Sequence, residues 1–113
     1  MRHYTLKDSP EVPVSHDPSL IKRLLVEEGG LPGLKGLSHI VMPAGASVGA
    51  HSHPEGYEVF YCIRGNASVL MGDASVTLGP GHCLVVEPGE PHGFEVMDET
   101  ELLYLFLLKQ AIS

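Results

Sequence analysis

The chain has 113 residues, enough for one domain and too few for two. Fourteen acidic residues against seven basic ones give a formal charge of −7, and the basic residues are scattered. That argues against nucleic acid and anionic membrane as partners, because both need clustered Lys and Arg.

Hydrophobic residues make up 43% and charged residues 19%, a globular rather than a disordered balance. The longest apolar run, Leu102 to Leu108, is far short of the ~20 residues that span a bilayer. Met1-Arg2-His3-Tyr4 opens no secretory signal pattern. A cytoplasmic chain is expected, with Cys62 and Cys83 as reduced core thiols rather than a disulfide.

Residues 1–18 are polar and hold Pro10, Pro13 and Pro18, which reads as an extended N-terminal arm. Residues 19–113 read as one domain. Ser19–Glu28 has two readings. Asp17-Pro18 at its start and Gly29-Gly30 at its end fit a capped helix. A strand over Ile21–Val26 is preferred, because everything after it is β.

Thirteen glycines and nine prolines punctuate short runs of Val, Leu, Ile and Tyr. The runs are Leu37–Met42, Gly49–His53, Tyr57–Ile63, Ala67–Met71, Ser75–Leu78, His82–Glu87, Gly93–Val96 and Glu101–Lys109. This spacing predicts an all-β sandwich or barrel. Gly72-Asp73-Ala74 predicts a hairpin turn.

Chemistry concentrates in two segments. On a strand, residues two apart share a face, so His51 and His53 project together. Pro54 and Gly56 then turn the chain and bring Glu58 back beside them. The rigid loop Glu87-Pro88-Gly89-Glu90-Pro91 delivers a third imidazole, His92. Three imidazoles and a carboxylate suit a divalent transition metal, whether Mn, Fe, Ni, Cu, Co or Zn. Strand parity and position add His39, Met42, Phe60, Cys62, Phe94 and Phe106 as candidate substrate-binding residues of a pocket. Tyr57, Val59, Tyr61 and Ile63 point the other way and are apolar too, so they need cover, and a homodimer supplies it. His82 and Glu55 read as structural or solvated, and His3 and His16 as exposed.

These segments resemble the cupin family. Gly45, His51, His53, Glu58 and Gly65 fit its first motif at every position, and Gly81, Gly89 and His92 fit its second. Glu87 and Val96 depart from that second motif, where the family carries Pro and Asn. The resemblance implies a small single-domain cupin, an all-β jelly-roll barrel of double-stranded β-helix type, and a dimer. It implies His51, His53, Glu58 and His92 as metal ligands. The leading functional expectation is a metal-binding cupin acting on or binding a small organic molecule, with dioxygenase-type chemistry open to it. The alternatives are a non-catalytic sugar- or metabolite-binding module and an isomerase.

Overall fold

The structure is a computed structural model describing residues 1–15 and 17–109. All its regular elements are strands: β1 (Glu11–Val14), β2 (Asp17–Val26), β3 (Leu34–Met42), β4 (Ser47–His51), β5 (Gly56–Met71), β6 (Ala74–Leu78), β7 (Cys83–Val86) and β8 (His92–Leu108). Every pairing is antiparallel.

Two long strands organise the barrel. β5 and β8 pair almost end to end, from Gly56 opposite Leu108 to Leu70 opposite Gly93. The C-terminal half of β8 also pairs with β3, and the N-terminal half of β5 with β7. Those strands form one sheet, extended outward through β2 and β1. The other halves of β8 and β5 pair with β4 and β6, forming the second sheet. β5 and β8 therefore pass from one sheet to the other, which gives the jelly roll.

The crossing needs irregular register. The β5–β8 ladder shifts between Cys62 and Ala67. Before the shift Glu58, Phe60 and Cys62 are buried; after it Ala67 and Val69 are. The inward parity has changed by one residue, as a bulge requires. Gly65 sits at the shift with φ of 98°. A Cβ there would lie 2.3 Å from the Glu99 carbonyl oxygen, so only glycine fits.

Several boundaries differ from the sequence reading. Tyr57–Ile63 and Ala67–Met71 are one strand, as are Gly93–Val96 and Glu101–Lys109, with Lys109 outside it. Bulges bridge the gaps, where the sequence reads breaks at Gly65 and at the polar run 98–100. The segment 19–28 carries strand, not helix. Residues 11–14 of the arm form β1, paired antiparallel with β2. Cys62 is fully buried, but Cys83 is exposed rather than a core thiol, because it faces outward opposite Tyr61. Both thiols are free. His16 lies outside the described residues.

Inward residues of both sheets, including Val69, Leu78, Val96 and Leu102, make the core. Burying such side chains stabilises the fold by about 1.5–3 kcal/mol each. No helix among the described residues is long and apolar enough to cross a membrane.

Candidate metal centre and cavity

His51 ends β4, His53 lies just beyond it, Glu58 is the third residue of β5, and His92 opens β8. Register brings His51 directly opposite His92. The turn at 54–55 returns Glu58 to the pair. One donor atom from each of the four residues lies within 4.8 Å of all the others. The His51 ring centroid is 5.1 Å from that of His53 and 4.4 Å from that of His92.

The backbone fixes this arrangement. The Gly89 N–H donates to the His53 carbonyl at 2.9 Å, tying the two motif loops together. Val96, where the family motif carries Asn, ties its loop through main-chain hydrogen bonds while its side chain packs in the core. Its N–H donates to Ala46 O, and its carbonyl accepts from Gly45 N–H.

Tautomers follow from the hydrogen bonds. His51 Nδ1 donates to the Gly49 carbonyl at 2.8 Å, and His92 Nδ1 to the Glu90 carbonyl at 3.0 Å. In the neutral imidazoles each Nε2 then keeps a lone pair for a ligand. Glu58 Oε1 lies 3.0 Å from His92 Nε2 and 3.1 Å from His53 Nε2. Yet Glu58 Oε1 and His92 Nε2 are both buried without an aligned hydrogen bond. Two buried acceptors facing each other are costly, whereas a cation between them satisfies both. The four residues therefore fit a divalent metal by donor type and by these two orphaned atoms.

Burial lowers the pKa of His51 below the ordinary histidine value, favouring the neutral form that ligates. Burial also lowers that of His92, but Glu58 and the Glu90 carbonyl outweigh it and raise the value. The pull that draws a proton onto His92 also draws a cation.

The cluster opens on a cavity of about 420 Å³, within the usual range for small-molecule sites. Met42, Phe60, Phe94 and Phe106 line it, so all three phenylalanines of the chain face this space. His39 and Cys62 do not line it. Along β3 the lining residues are Lys35, at the register shift, and then Gly36, Ser38, Ile40 and Met42, so past the shift His39 has the opposite parity. It bonds Glu101 at 2.6 Å instead. Cys62 has the inward parity but is sealed in the core, its thiol donating to the Arg64 carbonyl. Glu55 is partly exposed and pairs with Lys35 at 3.3 Å. His82 Nδ1 accepts from the Gly79 N–H in a turn.

The sequence reading missed Lys22, Ser38 and Tyr104, which also line the cavity. Parity with Met42 and Phe106 was a signal for Ser38 and Tyr104. Lys22 had no such signal while 19–28 stood between helix and strand.

Comparison with known proteins agrees with this fold. An oxalate-binding protein from Thermotoga maritima is 28% identical over 67 residues, 59% of this chain and 55% of that protein. The chain thus aligns with about half the length of that curated relative. A solved structure of a predicted oxalate decarboxylase from Thermotoga maritima superposes with a TM-score of 0.83 at 18% identity, covering 96% of this chain and all of that one. KdgF from Halomonas sp. gives 0.80 at 17% identity, covering 96% of each chain. Ectoine synthase from P. lautus gives 0.81 at 16% identity, covering 98% of this chain and 80% of that one. At such identities these structures share the fold, and one fold hosts many chemistries. The family match itself runs over residues 38–108, from β3 to the end of β8 and through both histidine segments, and by that match the chain belongs to the Cupin domain family.

Proposed function

We propose that this protein is a metal-dependent cupin that takes a small organic molecule into its barrel, at a divalent centre held by His51, His53, Glu58 and His92. The observation that carries the reading is the convergence of four donors within 4.8 Å at the cavity, with two buried atoms left unsatisfied. The donor set accepts Mn, Fe, Co, Ni, Cu or Zn. When bound, such an ion supplies Lewis acidity at its open positions, and a redox-active one also supports dioxygenase-type chemistry. The protein's part is to fix the tautomers of His51 and His92 through the Gly49 and Glu90 carbonyls, so that each Nε2 is the ligating atom, and to exclude water with an apolar wall. That wall favours an aromatic or aliphatic ligand over a free sugar.

Elemental analysis of untagged protein tests the reading. About one equivalent of a transition metal is expected in the wild type, falling at least tenfold in His92→Ala. Full stoichiometric metal in both His51→Ala and His92→Ala would overturn the ligand set.

A non-catalytic binding role is the second reading, and the match to an oxalate-binding protein favours it. Turnover screens on the metal-loaded protein separate the two.

We also infer a homodimer. Val41, Tyr61, Ile63, Val85 and Leu107 lie on the outward face of one sheet, each at least 40% exposed. A sheet apolar on its outer face calls for a partner surface.

A further inference from the structure

The cavity holds a second polar group set beside the histidine cluster, formed by Lys22, Ser38 and Tyr104. Register makes them neighbours. Ser38 pairs with Tyr104 across β3 and β8, and Lys22 pairs with Ile40, two residues along β3. Lys22 Nζ lies 5.4 Å from the Tyr104 ring centroid. The Ser38 hydroxyl is close enough to that of Tyr104 to act on it. The Tyr104 O–H can donate to an acceptor in the cavity.

Besides Lys22 the cavity lining carries three charged residues, Lys35, Glu28 and Glu58. Lys35 has Glu55 at 3.3 Å. Glu58 belongs to the metal cluster. Lys22 is half-buried, and among the described residues no carboxylate comes within 4 Å of it. Burial pushes its ammonium below the ordinary lysine range and pushes the Tyr104 phenol up to about 12. The spot thus offers a cation in need of a counter-charge and a phenol that stays protonated. An anion satisfies both at once.

Phe60 connects this spot to the metal cluster. Its ring stacks on Tyr104 with centroids 5.5 Å apart, and lies 6.3 Å from His92. A flat apolar body laid along Phe60 therefore runs from Lys22 toward the histidines.

We propose that Lys22 and the Tyr104 hydroxyl form a carboxylate subsite, and that the ligand of this cavity is a small monocarboxylic acid with an apolar or aromatic body. The inference rests on the reading of the cavity as the ligand site. It assigns the ligand's charged end to Lys22 and its other end to the metal cluster.

The test is an NMR titration with phenylacetate and with its neutral analogue phenylacetamide. Wild type, Lys22→Met and Lys22→Arg are compared, with metal content measured on each. Phenylacetate is expected to bind the wild type and Lys22→Arg about tenfold more tightly than the amide, the worth of one desolvated charge contact. Lys22→Met keeps the apolar stem, and is expected to lose the preference while retaining its metal. In the wild type the Lys22 Cε resonance is expected to move with phenylacetate and stay still with the amide, a readout that needs no variant. Equal affinities, no phenylacetate binding, or a preference that survives in Lys22→Met would overturn the subsite. The two readings fail separately. A Lys22-dependent preference in a protein that takes up no metal upholds the subsite and removes the metal centre. A metal-loaded protein whose preference ignores Lys22 does the reverse.

Discussion

His39 and His92 are both buried histidines beside a glutamate, yet only His92 belongs to the cluster that meets the cavity through His51, His53 and Glu58. The other pair is closed: His39 Nε2 donates to Glu101 at 2.6 Å, and Arg64 reaches the same carboxylate at 2.9 Å. The Glu101 carboxyl is held below the ordinary glutamate value of 4.5, first by the His39 hydrogen bond and then by Arg64. A carboxylate whose folded value is depressed stabilises the fold above its unfolded value, and loses that contribution as pH falls through the depressed one. Glu101→Gln should therefore lower stability by about 1 kcal/mol at pH 7. The difference should vanish in acid, once the wild-type carboxyl is protonated too. Urea unfolding at the two pH values checks this, and a gap independent of pH would remove the charge argument.

At the scale of the element, the β5–β8 ladder decides what enters the barrel. Its irregular stretch lets even-numbered residues face inward before Gly65 and odd-numbered ones after it. Thr100 locks the shift from the other strand, its hydroxyl accepting from Asn66 N–H and donating to Asp98 O. Gly65→Ala places a methyl against the Glu99 carbonyl and Thr100 Cα, on a backbone that already has positive φ. The expected cost is about 2–4 kcal/mol, from strain and overpacking together. Thermal unfolding measures it, and a neutral outcome would mean that the shift relaxes. The strand pieces on each side of this bulge were legible from their alternation. Their continuity was not, because Gly65 and the polar residues 98–100 read as breaks when the partner strand is unseen.

At the scale of the molecule, the barrel has an inside and an outside that are both apolar over the sheet containing β3, β8 and β5. The inside is satisfied by the cavity wall and the core. The outside leaves Tyr61 and Ile63 exposed on β5, beside Val85 on β7. Tyr61→Glu is expected to convert a dimer to monomer or to aggregate, since a charge buried in an apolar interface lacks compensation. Sedimentation velocity reads this directly, and an unchanged coefficient would count against that face as the interface. The sequence pointed to this outward face through parity alone, since the register stays regular from Tyr57 to Cys62.

The sequence by itself determined the β class and the four convergent donors. Those donors depend on short-range spacing: a histidine pair two residues apart, a tight turn to Glu58, and a stiff loop before His92. Such spacing survives errors of a few residues in strand ends, as when His53 falls outside β4. The tertiary structure alone decided which strand faces border the cavity. It turned His39 to Glu101, sealed Cys62 in the core, and brought Lys22 from β2 beside Ser38 and Tyr104. These outcomes depend on register between strands far apart in the chain, and a one-residue shift there reverses every side chain.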